Sequence, residues 1–201
     1  LNLPEKMGSV FADYDRDGDK DIYIFTNVAQ PRNQGNGGPP NFLLRNLWAD
    51  NGNRVIPGQP LFEEVAVQVG VDDLMDVPGT DGPGFNAPTG AWLDYDRDGY
   101  IDLYVGHWAG APDAPGEDRL YRNTLSQNGQ FTDVTTAAGI NQSTGSHGQP
   151  VGDALAMMAG HLDDDMWPDI YVGNSELYNQ DLLYENQAGT FVEVISNSPG
   201  V

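Results

Sequence analysis

Carboxylates spaced two residues apart are the most chemically suggestive feature of this sequence. Two stretches read Asp-x-Asp-x-Asp-Gly-x-x-Asp: Asp13, Asp15, Asp17, Gly18 and Asp21, then Asp94, Asp96, Asp98, Gly99 and Asp102. A tight loop turns alternate side chains toward one point, and hard cations such as calcium take about six to eight oxygens at roughly 2.3–2.6 Å. Positions 1, 3, 5 and 9 supply carboxylates, and the backbone carbonyl of position 7, Asp19 or Tyr100, supplies a further oxygen. Glycine at position 6 permits the left-handed turn at little cost. An EF-hand needs a glutamate at position 12, where these loops carry Ile24 and Val105. The bland alternative is a solvated polar turn, but carboxylates crowded together without a cation repel one another. The expectation is therefore calcium in both loops.

A third stretch departs from the pattern. His161, a poor calcium ligand, takes position 1, Met166 the glycine position, and Pro168 precedes the last aspartate. Asp163, Asp165 and Asp169 remain, with the carbonyl of Trp167 at position 7, so the expected site is weak or empty. Position 12 is again aliphatic, Val172.

The composition agrees with a cation rather than a polyanion. The 201 residues hold 30 acidic and 9 basic side chains, a net charge of -21. Nucleic acid and anionic membrane surfaces both call for a basic face. Of the 23 aspartates, 13 lie in the three windows 13–21, 94–102 and 161–169, whereas a solubilising surface scatters its charge. The absence of cysteine removes thiolate chemistry and disulfides. No apolar run reaches the roughly 18 residues of a membrane-spanning helix. A content of 39% hydrophobic and 10% aromatic residues suffices for a core, and 25 glycines with 14 prolines predict many turns.

The elements that position these loops recur with them. Asp21-Ile22-Tyr23 matches Asp102-Leu103-Tyr104 and Asp169-Ile170-Tyr171. Leu43-Leu44-Arg45-Asn46 matches Leu120-Tyr121-Arg122-Asn123 and Leu183-Tyr184-Glu185-Asn186. Phe62 to Val65 matches Phe131 to Val134 and Phe191 to Val194, and the copies close on Gly70-Val71, Gly139-Ile140 and Gly200-Val201. Short apolar runs, Val10-Phe11-Ala12 and Ala91-Trp92-Leu93, enter the acidic loops, and β-branched and aromatic residues leave them. Each unit thus predicts four short antiparallel strands. Repetition of such sheets about an axis makes β-propeller blades, here over about 7–71, 89–140 and 154–201; an all-β sandwich is the alternative. Loops are expected over Asn33–Pro40, Val77–Pro88 and Gly110–Gly116, and no amphipathic helix is expected.

The segments Asp-Tyr-Asp-Arg-Asp-Gly-x-x-Asp-[Ile/Leu]-Tyr, Leu-Tyr-Arg-Asn and Phe-Thr-Asp-Val-Thr-x-x-Ala-Gly-Ile together resemble the FG-GAP/VCBS repeat, from Gly8 to Val201. The resemblance implies an all-β propeller with calcium between the first two strands of a blade. Its ligand positions fall on Asp13, Asp15, Asp17, Asp21, Asp94, Asp96, Asp98 and Asp102, and only in part on the third loop. It also implies an extracellular protein serving adhesion, recognition or scaffolding, while a minority of the family are lectins or polysaccharide lyases. Propellers close with about 4–8 blades, so three units imply partners: other blades of one larger polypeptide, or further copies of this chain. Protein or glycan ligands are open; nucleic acid and membrane insertion are not expected.

Catalysis finds no support in the sequence. His107, His147 and His161 fall in or near expected loops without a nucleophile elbow, and Gly35-Asn36-Gly37-Gly38 lacks the lysine of a phosphate-binding loop. A glycan-binding surface is the rival to scaffolding, through Trp48 or an exposed Trp108, whereas Trp92 reads as core and Trp167 packs over its own loop. The Asn141-Gln142-Ser143 sequon agrees with secretion. The opening Leu-Asn-Leu-Pro is no signal peptide, which implies either a cleaved leader or a segment of a longer protein.

Overall fold

Alternating apolar runs separated by Gly, Asn and Asp become strands and turns in the computed structural model, which describes residues 6–26, 40–73, 86–108, 118–140, 154–174 and 181–194. Each repeat forms one antiparallel sheet with its strands in chain order. The first holds β1 (Lys6–Ala12), β2 (Asp21–Thr26), β3 (Phe42–Asn46) and β4 (Phe62–Glu64). The second holds β5 (Asn86–Leu93), β6 (Asp102–Trp108), β7 (Arg119–Asn123) and β8 (Phe131–Asp133). The third holds β9 (Ala154–Gly160), β10 (Asp169–Asn174), β11 (Leu182–Asn186) and β12 (Phe191–Glu193). The fold is all-β, with three four-stranded antiparallel sheets as the landmarks predict.

Register sorts each strand onto two faces. Val10 pairs with Tyr23 and Tyr23 with Leu43, which puts all three on one side of the first sheet. That side meets Leu103, Val105 and Tyr121 of the second sheet in one core cluster. The opposite side of the second sheet, through Leu93, Tyr104 and Leu120, meets Ile170, Val172 and Tyr184 of the third. The middle sheet is covered on both faces, and β6 buries all of its residues but Trp108. The end sheets leave Phe11 and Met158 exposed at 62% and 64%, and Leu162 of the loop after β9 is 58% exposed. Along this stack the opening strands β1, β5 and β9 lie side by side. Glycine lets the neighbouring strands come as close: a Cβ on Gly90 of β5 would stand 2.5 Å from the Phe25 ring of β2, and one on Gly106 of β6 would stand 2.9 Å from the Ala154 methyl of β9.

Among the described residues two one-turn helices occur, α1 (Ala66–Val69) and α2 (Leu125–Asn128), each closed by a left-handed glycine, Gly70 and Gly129; four residues are too few to show a helical period or an amphipathic face. Two expectations need correction. The stretch expected to loop as far as Pro88 enters β5 at Asn86, and a register shift between Asn86 and Thr89 accommodates the proline, which has no N–H to give. His107 and Trp108 lie in β6 rather than in loops, with His107 buried and Trp108 half-buried. Residues 33–39, 77–85, 110–116, 141–143 and 200–201, together with His147, lie outside the described residues.

Candidate metal centre

The acidic loops join β1 to β2, β5 to β6 and β9 to β10, so each hangs between the first two strands of its sheet. The backbone of the first two takes left-handed turns at position 4 (Arg16 φ 64, Arg97 φ 56) and at position 6 (Gly18 φ 98, Gly99 φ 87). Short side chains hold that path by bonding nearby N–H groups. In the first loop Asp15 accepts from the Asp17 amide, Asp17 from Asp19, and Asp13 from Gly18 at 3.2 Å. The second loop repeats these bonds, Asp96 from Asp98, Asp98 from Tyr100, and Asp94 from Gly99 at 3.0 Å.

The last aspartate does different work. Asp21 and Asp102 are wholly buried. Asp21 accepts the Tyr14 amide at 3.1 Å and the Asn46 amide at 2.9 Å. Asp102 accepts those of Tyr95 and Asn123 at 3.0 and 2.8 Å. Each ties the start of its loop to the end of the third strand. Burial pushes the Asp21 carboxyl up to about 7 and that of Asp102 up to about 8, against the pull of those amides, with neighbouring loop carboxylates adding to the rise. Burial and neighbouring carboxylates also raise Asp17 and Asp94.

Oxygens from Asp13, Asp15 and Asp21 lie within 4.8 Å of one another, as do oxygens from Asp94, Asp96 and Asp98. Asp17 and Asp102 fall outside these groups, although each belongs to the expected set. The shielded oxygens Asp13 Oδ1, Asp17 Oδ2, Asp19 Oδ1 and Asp94 Oδ1 accept no hydrogen bond. Such atoms cost about 1–3 kcal/mol each unless a partner arrives, and a hard cation satisfies several at once. The donor set is all carboxylate oxygen, which a hard metal ion prefers.

The third loop keeps the scaffold and loses the cluster. Asp169 still accepts the Leu162 and Asn186 amides, both at 2.9 Å, Asp163 that of Asp165 and Asp165 that of Trp167. Met166 is forced to φ 72 where the others have glycine, and His161, which is exposed, adds no carboxylate. Asp163, Asp165 and Asp169 are not brought together as the other sets are.

Successive loops also touch. Arg16 lies 4.9 Å from the Tyr100 ring centre and Arg97 lies 5.1 Å from that of Trp167, so position 4 of one loop covers position 7 of the next. Trp167 thus packs against Arg97 of the second loop. Asn123 Nδ2 donates to the Tyr14 carbonyl at 2.8 Å and Asn186 Nδ2 to the Tyr95 carbonyl at 2.9 Å, each reaching the preceding loop. Trp92 is core, in ring contact with Tyr14, Tyr23 and Phe131, while Trp48 sits exposed in a turn.

Sequence reasoning missed two groups. Arg45 reaches Asp15, and Arg122 reaches Asp96 and Asp98; the recurring Arg-Asn pair was their only signal. A buried network between the first two sheets joins His107 Nε2 to Asp73 Oδ2 at 2.7 Å and the Tyr121 hydroxyl to Asp73 Oδ1 at 2.6 Å. Burial alone would lower the His107 pKa, but the Asp73 carboxylate outweighs it and raises it. At 2% and 1% exposure the His–Asp pair is a joint between units.

Compared with known proteins, the chain matches no family model and no curated protein.

Proposed function

We propose that this chain is a calcium-binding β-propeller segment of FG-GAP/VCBS type, acting outside the cell as a non-catalytic scaffold for adhesion or protein interaction. The observation that carries the reading is the pair of matching loops whose carboxylates converge within 4.8 Å and keep shielded oxygens without partners. The meander order of each sheet, the face-to-face stacking of successive sheets and the side-by-side opening strands support blades set about an axis. The uncovered Phe11, Met158 and Leu162 support further blades or further copies of the chain as partners. Calcium concentrations suited to modest loop sites, about 10⁻⁴–10⁻³ M, are those of the extracellular space. Calorimetric titration of the chelated protein tests the reading: two bound calcium ions are expected, and no bound ion refutes it.

A glycan-binding propeller, or the non-catalytic part of a polysaccharide-active enzyme, is the second reading. It rests on Trp48, 38% exposed, and on a cleft between the second and third loops lined by Arg97, His161 and Met166. Binding to a sugar array that is lost in Trp48→Ala would favour it over scaffolding.

A further inference from the structure

A guanidinium sits on two of the three carboxylates that the second loop gathers. Arg122 Nε lies 2.6 Å from Asp96 Oδ2 and its Nη2 lies 2.9 Å from Asp98 Oδ2. Its counterpart in the first unit is engaged differently. Arg45 Nε donates to Asp15 Oδ2 at 2.9 Å, but its Nη2 turns away to Asp50 at 2.7 Å and its Nη1 lies 4.0 Å from Glu63. Arg45 therefore touches one gathered carboxylate, and Arg122 touches two. The third unit has Glu185 at this position.

A positive group beside the oxygens that a divalent ion needs opposes that ion twice: Nη2 donates to Asp98 and takes one of its lone pairs, and the charge repels the ion, Nε beside Asp96 making no hydrogen bond and contributing charge alone. The Arg122 side chain is 30% exposed, so it is free to swing into solvent when displaced. We propose that Arg122 is an internal competitor for the second site: it neutralises Asp96 and Asp98 in the ion-free loop and must release them for a divalent cation to bind. The inference rests on the cation-binding reading above and goes beyond it by ranking the two sites. The first loop, whose arginine is mostly engaged elsewhere, binds more tightly than the second. A guanidinium that merely propped the loop in shape would have the opposite effect, since its removal would weaken binding.

The sign of a substitution decides between these roles. Calcium titration of the whole chain compares the parent with Arg122→Ala, Arg122→Gln and Arg45→Ala. Couplings between linked binding events commonly span about 5–150-fold, and the second-site Kd should tighten by about 10-fold in Arg122→Ala. Arg122→Gln, which keeps polarity and drops the charge, should tighten it in the same direction and guards against a folding defect in the alanine variant. Arg45→Ala should move the first-site Kd less. If the parent binds two ions and neither Arg122 variant tightens the second site, this inference falls while the calcium reading stands. If the parent binds no calcium, both fall.

Discussion

The second and third acidic loops occupy the same place between opening strands, and both tie their last aspartate to the same two backbone amides. They differ in what the remaining positions do. The second loop turns Asp94, Asp96 and Asp98 toward one point, leaves Asp94 Oδ1 without a partner and places Arg122 across the cluster. The third has an exposed His161 in place of the first carboxylate, a strained Met166 in place of glycine and Glu185 in place of the arginine. The loop path is therefore a property of the hairpin, held by side chain-to-backbone bonds. Convergence of the carboxylates is a separate property, present in the second loop and missing from the third, where positions 1 and 6 have changed.

Removing calcium is the harshest way to break this contrast. A ligand at a hundredfold excess over its Kd stabilises the native state by about 2.7 kcal/mol. Chelation should therefore lower the melting temperature by several degrees, about 2–4 °C per kcal/mol for a chain of this size, as read by calorimetry. An unchanged melting curve would remove the cation from the account.

The chelated protein should also respond to pH through Asp21 and Asp102. Their folded carboxyls are raised to about 7 and about 8 by burial, above the unfolded value of about 4. Groups raised on folding favour the native state most below the unfolded pKa, and that contribution is lost as pH rises through the folded pKa. Stability measured by denaturant in chelator should fall between about pH 4 and pH 8, and saturating calcium should flatten the fall. His107, raised by Asp73, adds in the same direction, so His107→Gln separates its share.

A smaller effect separates the loops directly. Asp98→Ala should remove roughly half of the calcium-induced rise in melting temperature. Asp165→Ala, at the equivalent position of the third loop, should leave that rise intact. Equal losses would erase the distinction between the loops. Smallest of all, Met166→Gly should stabilise the protein by about 1 kcal/mol with or without calcium, because a left-handed conformation costs a side chain about that much. The double change His161→Asp with Met166→Gly should go further and add a third calcium to the titration.

The sequence made the strands and loops readable because their causes are local. Asp-[Ile/Leu]-Tyr marks where β2, β6 and β10 leave their loops, and glycine at position 6 announces a left-handed turn. What it hid depends on register. Arg45 meets Asp15 across 30 residues and Arg122 meets Asp98 across 24, contacts that exist only once the third strand is laid beside the second. Asn123 reaches Tyr14 across 109 residues, from one unit to another. His107 is expected in or near a loop, yet it lies in β6, where Gly106 packs closely against Ala154.

Tyr14 and Tyr95 give the stack a mechanical character. The Tyr14 amide is held by Asp21 of its own loop, and its carbonyl is held by Asn123 of the next sheet; Tyr95 stands in the same way between Asp102 and Asn186. A pull that separates two sheets thus runs through one residue into the carboxylate anchoring a loop. Tension between units therefore reaches the loop as well as the joint.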